Sequence, residues 1–307
     1  MLIKFAIQEF KDDREYKNLS PRTIESYLMT LKEFQTYCGE QEVVSIEDVS
    51  QSIIKSYLIY CQKERGNNPT TRNSKLHSIK IFFNHLEEIE VIESKKNPIK
   101  KMFYVKEDIQ IEAFNDYHIN QMLNYYRRIK QRERTFHAYR DYTIIITLLG
   151  TGVRLGELIN LKWNDVDFKS GTITVYGKKR EQSSIPLADK LIRELAEYQV
   201  FCKQHFKELS EYVFVSDRKN GKLAVDAVKS IFMRLKKAMA FKDVRLSCHT
   251  FRHTFAHRML MNGCDIFTLQ KMLRHSQLNI TQRYLSIWGT ALREQNQKFN
   301  PLNNLDI

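Results

Sequence analysis

Four separated pieces of the chain carry residue types that could do chemistry together. They are Thr151-Gly152-Val153-Arg154-Leu155-Gly156-Glu157-Leu158, Gly177-Lys178, His249-Thr250-Phe251-Arg252-His253, and His275 followed nine residues later by Tyr284. Guanidinium groups suit a phosphodiester under attack, because charge builds on its non-bridging oxygens and planar, bidentate hydrogen bonds can hold it. His249 and Arg252 stand at i and i+3, so on one helix both can reach a single phosphate. A tyrosine hydroxyl, with a free pKa of about 10, needs help losing its proton before it can attack. A lysine in a mobile turn is a reasonable general acid for a displaced oxygen.

Each piece also has an ordinary reading. An arginine after a glycine turn is commonly a surface residue, a lysine in a hairpin turn is usually solvated, and a late tyrosine with helical neighbours Ile280 and Ile287 can be a core aromatic. His249, His253 and His257 recur every four residues with Cys248 and Cys264 nearby, which raises the question of zinc. Arg252 and Arg258 would repel a cation there and no H-E-x-x-H glutamate is present, so no metal site is expected, and His253 and His257 read as packed or exposed.

The elements that must position these residues follow from composition and periodicity. The chain has 307 residues, enough for two domains, and 42% hydrophobic with 28% charged residues and few Gly or Pro reads as largely helical. Its formal charge is +13, and the first 110 residues carry 17 charges of each sign, leaving 32 basic against 19 acidic beyond them. The second part therefore holds the whole excess, and a polyanion is the natural partner. The five scattered cysteines form no C-x-x-C pair and suggest a reducing compartment. No apolar run is long enough to span a bilayer and the first ten residues lack a signal-peptide pattern, so a cytoplasmic protein is expected.

Ser20-Pro21 reads as a helix N-cap and first position, followed by Ile24, Tyr27, Leu28, Leu31 and Phe34 at helical spacing. A second helix carries Ile53 to Cys61, and after the Gly66-Asn67-Asn68-Pro69 break a third buries Leu76, Ile79, Phe82, Phe83 and Leu86. Arg72, Lys75 and Lys80 fall on its polar positions, where they could meet phosphates or simply be solvated. The lysine-rich stretch with Lys95, Lys96, Lys100 and Lys101 around Pro98 reads as an interdomain linker in contact with a polyanion. The boundary falls between about 95 and 112, giving domains 1–105 and 106–307. Beyond it, 141–149 is a buried helix closed by a glycine turn. Residues 172–176 and 183–187 form a hairpin, and helices run over about 188–208, 224–240, 249–262, 265–273 and 278–287.

Together the four pieces resemble the tyrosine recombinase (integrase) family, most closely over 150–167 and 249–285. The resemblance implies a mainly α protein: an N-terminal helical, SAM-like core-DNA-binding domain, and a mixed, mostly helical catalytic domain with a small antiparallel sheet. Arg154 matches the first catalytic arginine, Lys178 the hairpin lysine, His249 and Arg252 the H-x-x-R pair, His275 the later histidine and Tyr284 the nucleophile. It further implies cleavage through a 3′-phosphotyrosyl link with a free 5′ hydroxyl, no metal and no cofactor, double-stranded DNA with a specific core site as partner, and four protomers on two sites. His249 is the better candidate for the tyrosine's base, with His275 on the phosphate. In this family C-terminal tails dock on the neighbouring subunit, and Phe299 and Leu302 are the candidate anchors. One position departs from the pattern: Arg274 stands where the family usually has glycine, which points to a special backbone angle and to a further phosphate contact. Two other readings, a non-cleaving DNA-binding protein of the same fold and a type IB topoisomerase-like enzyme, fit less well with an intact Tyr284 and the small N-terminal domain.

Overall fold

One predicted helix starts at the Ser20 cap the sequence offers, and another starts within the predicted break at Pro69. The computed structural model describes the chain except residues 108–110, 178–181, 276, 283, 285–295, 297–299 and 301–307, and the side chains of 279 and 280. The chain divides into two compact units, Met1–Ile109 and Gln110–Ile307.

The first unit is built on four helices, α1 (Ile3–Tyr16), α2 (Pro21–Glu40), α3 (Gln51–Lys63) and α4 (Pro69–Glu88). Ser20 Oγ accepts from Thr23 N and Asn68 Oδ1 from Thr71 N, each with proline at the first helical position. Helix α1 was not foreseen, although Ile3, Ala6, Ile7 and Phe10 bury one face of it. The stretch read as a linker is folded onto this unit: Asn97, Ile99 and Met102 are buried with its core. Lys96 pairs with Glu93 and Lys100 with Glu87, while Lys95 and Lys101 are exposed.

The second unit centres on α6 (Phe136–Thr151), which packs against α5 (Asp116–Glu133), α8 (Asp189–Phe206) and α10 (Cys248–Met261). Helix α6 begins at the Thr135 cap, five residues before its predicted start, and α5 is a further element that the sequence reading left unassigned. A short helix α7 (Leu155–Asn160) leads into an antiparallel sheet of β1 (Val166–Asp167), β2 (Thr172–Tyr176) and β3 (Gln182–Pro186) in that order. The β2–β3 register pairs Ile173 with Ile185 and Tyr176 with Gln182, so the predicted hairpin forms, and β1 adds a third strand alongside β2. Helices α9 (Val225–Met239), α11 (Ile266–Leu273) and α12 (Leu278–Gln282) complete the unit. Among the described residues no helix is long and apolar enough to cross a membrane.

Gly152, which ends α6, has φ +59, and a Cβ there would lie 2.7 Å from Phe255 Cδ1 on α10. Glycine is therefore required both by the left-handed backbone and by the close approach. Gly152→Ala is expected to destabilise the second unit by about 1–3 kcal/mol, read as a lowered denaturant midpoint with an unchanged m-value.

Candidate active site

The site grows from the turn after α6. Arg154 occupies the N-cap position of α7, and Glu157, one turn later and buried, reaches back to it. Glu157 Oε2 accepts from the Arg154 backbone N–H at 2.7 Å, and Oε1 from Arg154 Nη1 at 2.8 Å. From the end of α11, Arg274 Nη2 donates to Glu157 Oε2 at 2.6 Å, in a salt bridge whose side chains are only 7% and 5% exposed. Arg154 Nη2 in turn donates to the Arg274 carbonyl at 3.2 Å. Burial opposes ionisation of Glu157, but the Arg154 N–H and the Arg274 charge outweigh it and hold the carboxyl below its ordinary range.

Arg252 enters from α10 and is buried. Its Nη1 donates to Gly152 O at 2.7 Å and its Nη2 to Leu273 O, so the guanidinium is clasped by the carbonyl that follows α6 and the last carbonyl of α11. Burial, then repulsion from Arg154 and Arg274, brings its pKa down to about 9, which leaves it charged at neutral pH. Three guanidinium groups from separate elements thus lie close together, two of them on one carboxylate and the third on backbone carbonyls, a cluster with surplus positive charge that suits an anion.

Tyr284 is buried against Ala256, Leu260, Leu269 and Leu273. Its Oη lies 2.8 Å from His253 Nδ1, with the rings 5.6 Å apart. This contact departs from the sequence reading, which gave the tyrosine to His249 and left His253 as packing. His249 is exposed, its ring 6.2 Å from that of His253. His275 Nδ1 shares a hydrogen bond of 2.8 Å with Thr281 Oγ1. Burial, then the charges of Arg252, Arg154 and Arg274, push the His275 pKa down to about 4, so the ring is neutral at pH 7. Lys178 lies outside the described residues; the strands that flank it, β2 and β3, are in place.

Arg274 has φ 54 and ψ 47, the left-handed conformation that the expected glycine would adopt freely. Its side chain, expected on a phosphate, is turned into the protein on Glu157 and is almost fully buried. In the first unit, Lys75 is similarly drawn inward, onto Glu33 at 2.5 Å and Tyr57. Arg72 donates to Gln62 Oε1, and Lys80 lies over the Tyr104 ring. Among the described residues no group of His, Cys, Asp and Glu is arranged to hold a metal ion.

The fold is shared with solved recombinases. XerH site-specific recombinase bound to palindromic difH substrate, in a post-cleavage complex, superposes with a TM-score of 0.75 at 18% identity over 91% of this chain and 80% of that one. A lambda integrase tetramer bound to a Holliday junction gives 0.73 at 16% identity, over 92% and 77%. In sequence, the tyrosine recombinase XerC of Leptospira interrogans serogroup Icterohaemorrhagiae serovar copenhageni (strain Fiocruz L1-130) is 28% identical over 285 residues, 93% of this chain and 89% of the relative. The profile of the phage integrase family matches residues 115–288, and that of the phage integrase N-terminal SAM-like domain matches 7–93. The chain belongs to the phage integrase family.

Arg274→Ala should cost about 3 kcal/mol of stability by leaving a buried carboxylate short of a guanidinium. Arg274→Gly should cost about 1 kcal/mol less, because glycine takes the left-handed backbone without strain. Urea unfolding at pH 7 separates the two. The Glu157 contribution is complete above its ordinary pKa of about 4.3 and is lost as pH falls from there through the lowered folded value, so the gap between wild type and Glu157→Gln should close in acid.

Proposed function

We propose that this protein is a site-specific DNA recombinase that cleaves and rejoins duplex DNA through a 3′-phosphotyrosyl link on Tyr284. The observation that carries the reading is the clustering of three guanidinium groups, Arg154 and Arg274 on the carboxylate of Glu157 and Arg252 on the Gly152 and Leu273 carbonyls, beside a tyrosine hydroxyl already hydrogen-bonded to a histidine. Arg252, clasped by two carbonyls, and Arg154, with 40% of its side chain exposed, offer N–H groups to the non-bridging oxygens of the scissile phosphate. His249 and neutral His275 add hydrogen bonds to the same phosphate. As Tyr284 Oη bonds to phosphorus, the bond to the 5′ oxygen breaks and that oxygen takes a proton from Lys178. The 5′ hydroxyl of the partner strand then attacks the phosphotyrosine and expels Tyr284. One phosphodiester is exchanged for another, so the bond energy is conserved.

In this reading residues 1–105 form the core-DNA-binding domain, with Lys95, Lys96, Lys100 and Lys101 among its phosphate contacts, and 106–307 the catalytic domain. The excess of basic residues beyond position 110 supports a DNA partner for the second domain. Four protomers act on two core sites in the cytoplasm, and Phe299 and Leu302, outside the described residues, anchor the tail on a neighbouring protomer.

A nicked suicide duplex, carrying a core site selected by binding from a random-sequence library, tests the reading. Wild type should give a covalent protein–DNA band on a denaturing gel and Tyr284→Phe none. Arg154→Ala and Arg252→Ala should lower its rate of formation about 100-fold or more. Tight binding without a wild-type band would favour the non-cleaving protein, and relaxation of supercoiled DNA without exchange between two sites would favour the topoisomerase-like enzyme.

A further inference from the structure

We infer that His253 is the general base that takes the proton of Tyr284 as the tyrosine attacks, an assignment that rests on the cleavage chemistry proposed above. His253 Nδ1 stands 2.8 Å from Tyr284 Oη, within range for direct proton transfer. Its neighbour in α10, Arg252, is the guanidinium clasped by the Gly152 and Leu273 carbonyls. Base and phosphate holder are thus adjacent residues on one helix, and their separation is fixed by the backbone. The other two histidines are placed for other work. His249 is exposed at the start of α10, and the Nδ1 of His275 is engaged with Thr281.

The groups around His253 favour a neutral ring. His249 and Arg252 face it from its own helix, Glu112 from the segment before α5, and His275 and Tyr284 from the segment after α11. Burial, then the charges of His249 and Arg252, lower its pKa, against a smaller opposing effect of Glu112. With its one proton on Nε2, the ring accepts the Tyr284 O–H at Nδ1. In the forward step the phenol proton passes to Nδ1 while Oη bonds to phosphorus, and the imidazolium so formed sits beside the new phosphotyrosine. When the 5′ hydroxyl of the incoming strand attacks, its proton passes to the Lys178 amine left neutral by the first step, and the proton on Nδ1 returns to Oη as the tyrosine leaves, so His253 serves both halves of the exchange.

The test measures covalent-complex formation on the nicked duplex against pH, for wild type and His253→Gln, which retains hydrogen bonding but cannot take a proton. Wild type should rise with pH and level off below the ordinary histidine value of about 6.5. His253→Gln should be about 100-fold slower at pH 7 and keep rising towards the tyrosine range. Its defect should persist on a duplex with sulfur in place of the bridging 5′ oxygen, whose leaving group needs no proton. Rescue by that substrate would make His253 an acid and overturn the assignment. So would a His253→Gln rate within about threefold of wild type, or a slow rate with the wild-type pH profile, which marks a positioning role only. Should the variant fail to bind DNA, NMR titration of the His253 ring in the unaltered protein takes its place, and a titration that does not coincide with the break in rate is contrary. If wild type forms no covalent complex, the cleavage reading fails first and takes this inference with it.

Discussion

Three guanidinium groups brought close together, two of them largely buried, repel one another, and the second unit is arranged around the cost of holding them. Two unit charges 4 Å apart interact by about 4 kcal/mol at an effective dielectric of about 20, so such a cluster needs fixed counter-charge. Glu157 supplies it to Arg154 and Arg274 at once. Arg252 is stabilised differently, by the carbonyls of Gly152 and Leu273, which lie where α6 and α11 end. Helix C-termini leave carbonyls without intrahelical partners and carry partial negative charge, so a guanidinium there satisfies both. The turn after α6, the first turn of α7, the middle of α10 and the end of α11 are thereby tied to one another through the groups that would meet the phosphate.

That arrangement also sets protonation states. Arg252 loses basicity through burial yet stays charged at neutral pH, whereas His275, less buried but beside the same cluster of cations, is kept neutral. His253 is pushed the same way, and it is the ring in contact with the buried hydroxyl of Tyr284. A phosphate entering the cluster would meet cations held in place in advance, so little reorganisation remains for the step in which charge develops.

Much of this was legible in the sequence, for local reasons. Helix α2 announces itself through the Ser20-Pro21 cap and α4 through the break at Gly66-Asn67-Asn68-Pro69, and the alternating Thr172-Ile173-Thr174-Val175-Tyr176 run reads as a strand whatever surrounds it. The separations of Arg154, His249, Arg252, His275 and Tyr284 carried the family resemblance. What was missed depends on contacts between distant residues. His253 and His257 look alike in a helical stripe, and only the fold sets one of them against a tyrosine 31 positions away. Arg274 was read as a phosphate contact because its partner, Glu157, is 117 residues earlier. The lysine-rich run around Pro98 has a linker's composition, yet Asn97, Ile99 and Met102 anchor it in the first unit's core. Helix α1 was passed over although its buried face has helical spacing, since no cap residue marks its start.

The central claim is that Tyr284 becomes joined to DNA at phosphorus, with the 5′ oxygen as leaving group. Trapping the complex on a nicked duplex, digesting protein and DNA, and sequencing the nucleotide-bearing peptide by mass spectrometry tests this directly. The account predicts a 3′-phosphonucleotide on Tyr284 and a free 5′ hydroxyl on the released strand. A nucleotide on any other side chain, or a 5′-phosphate joined to the protein, would contradict it.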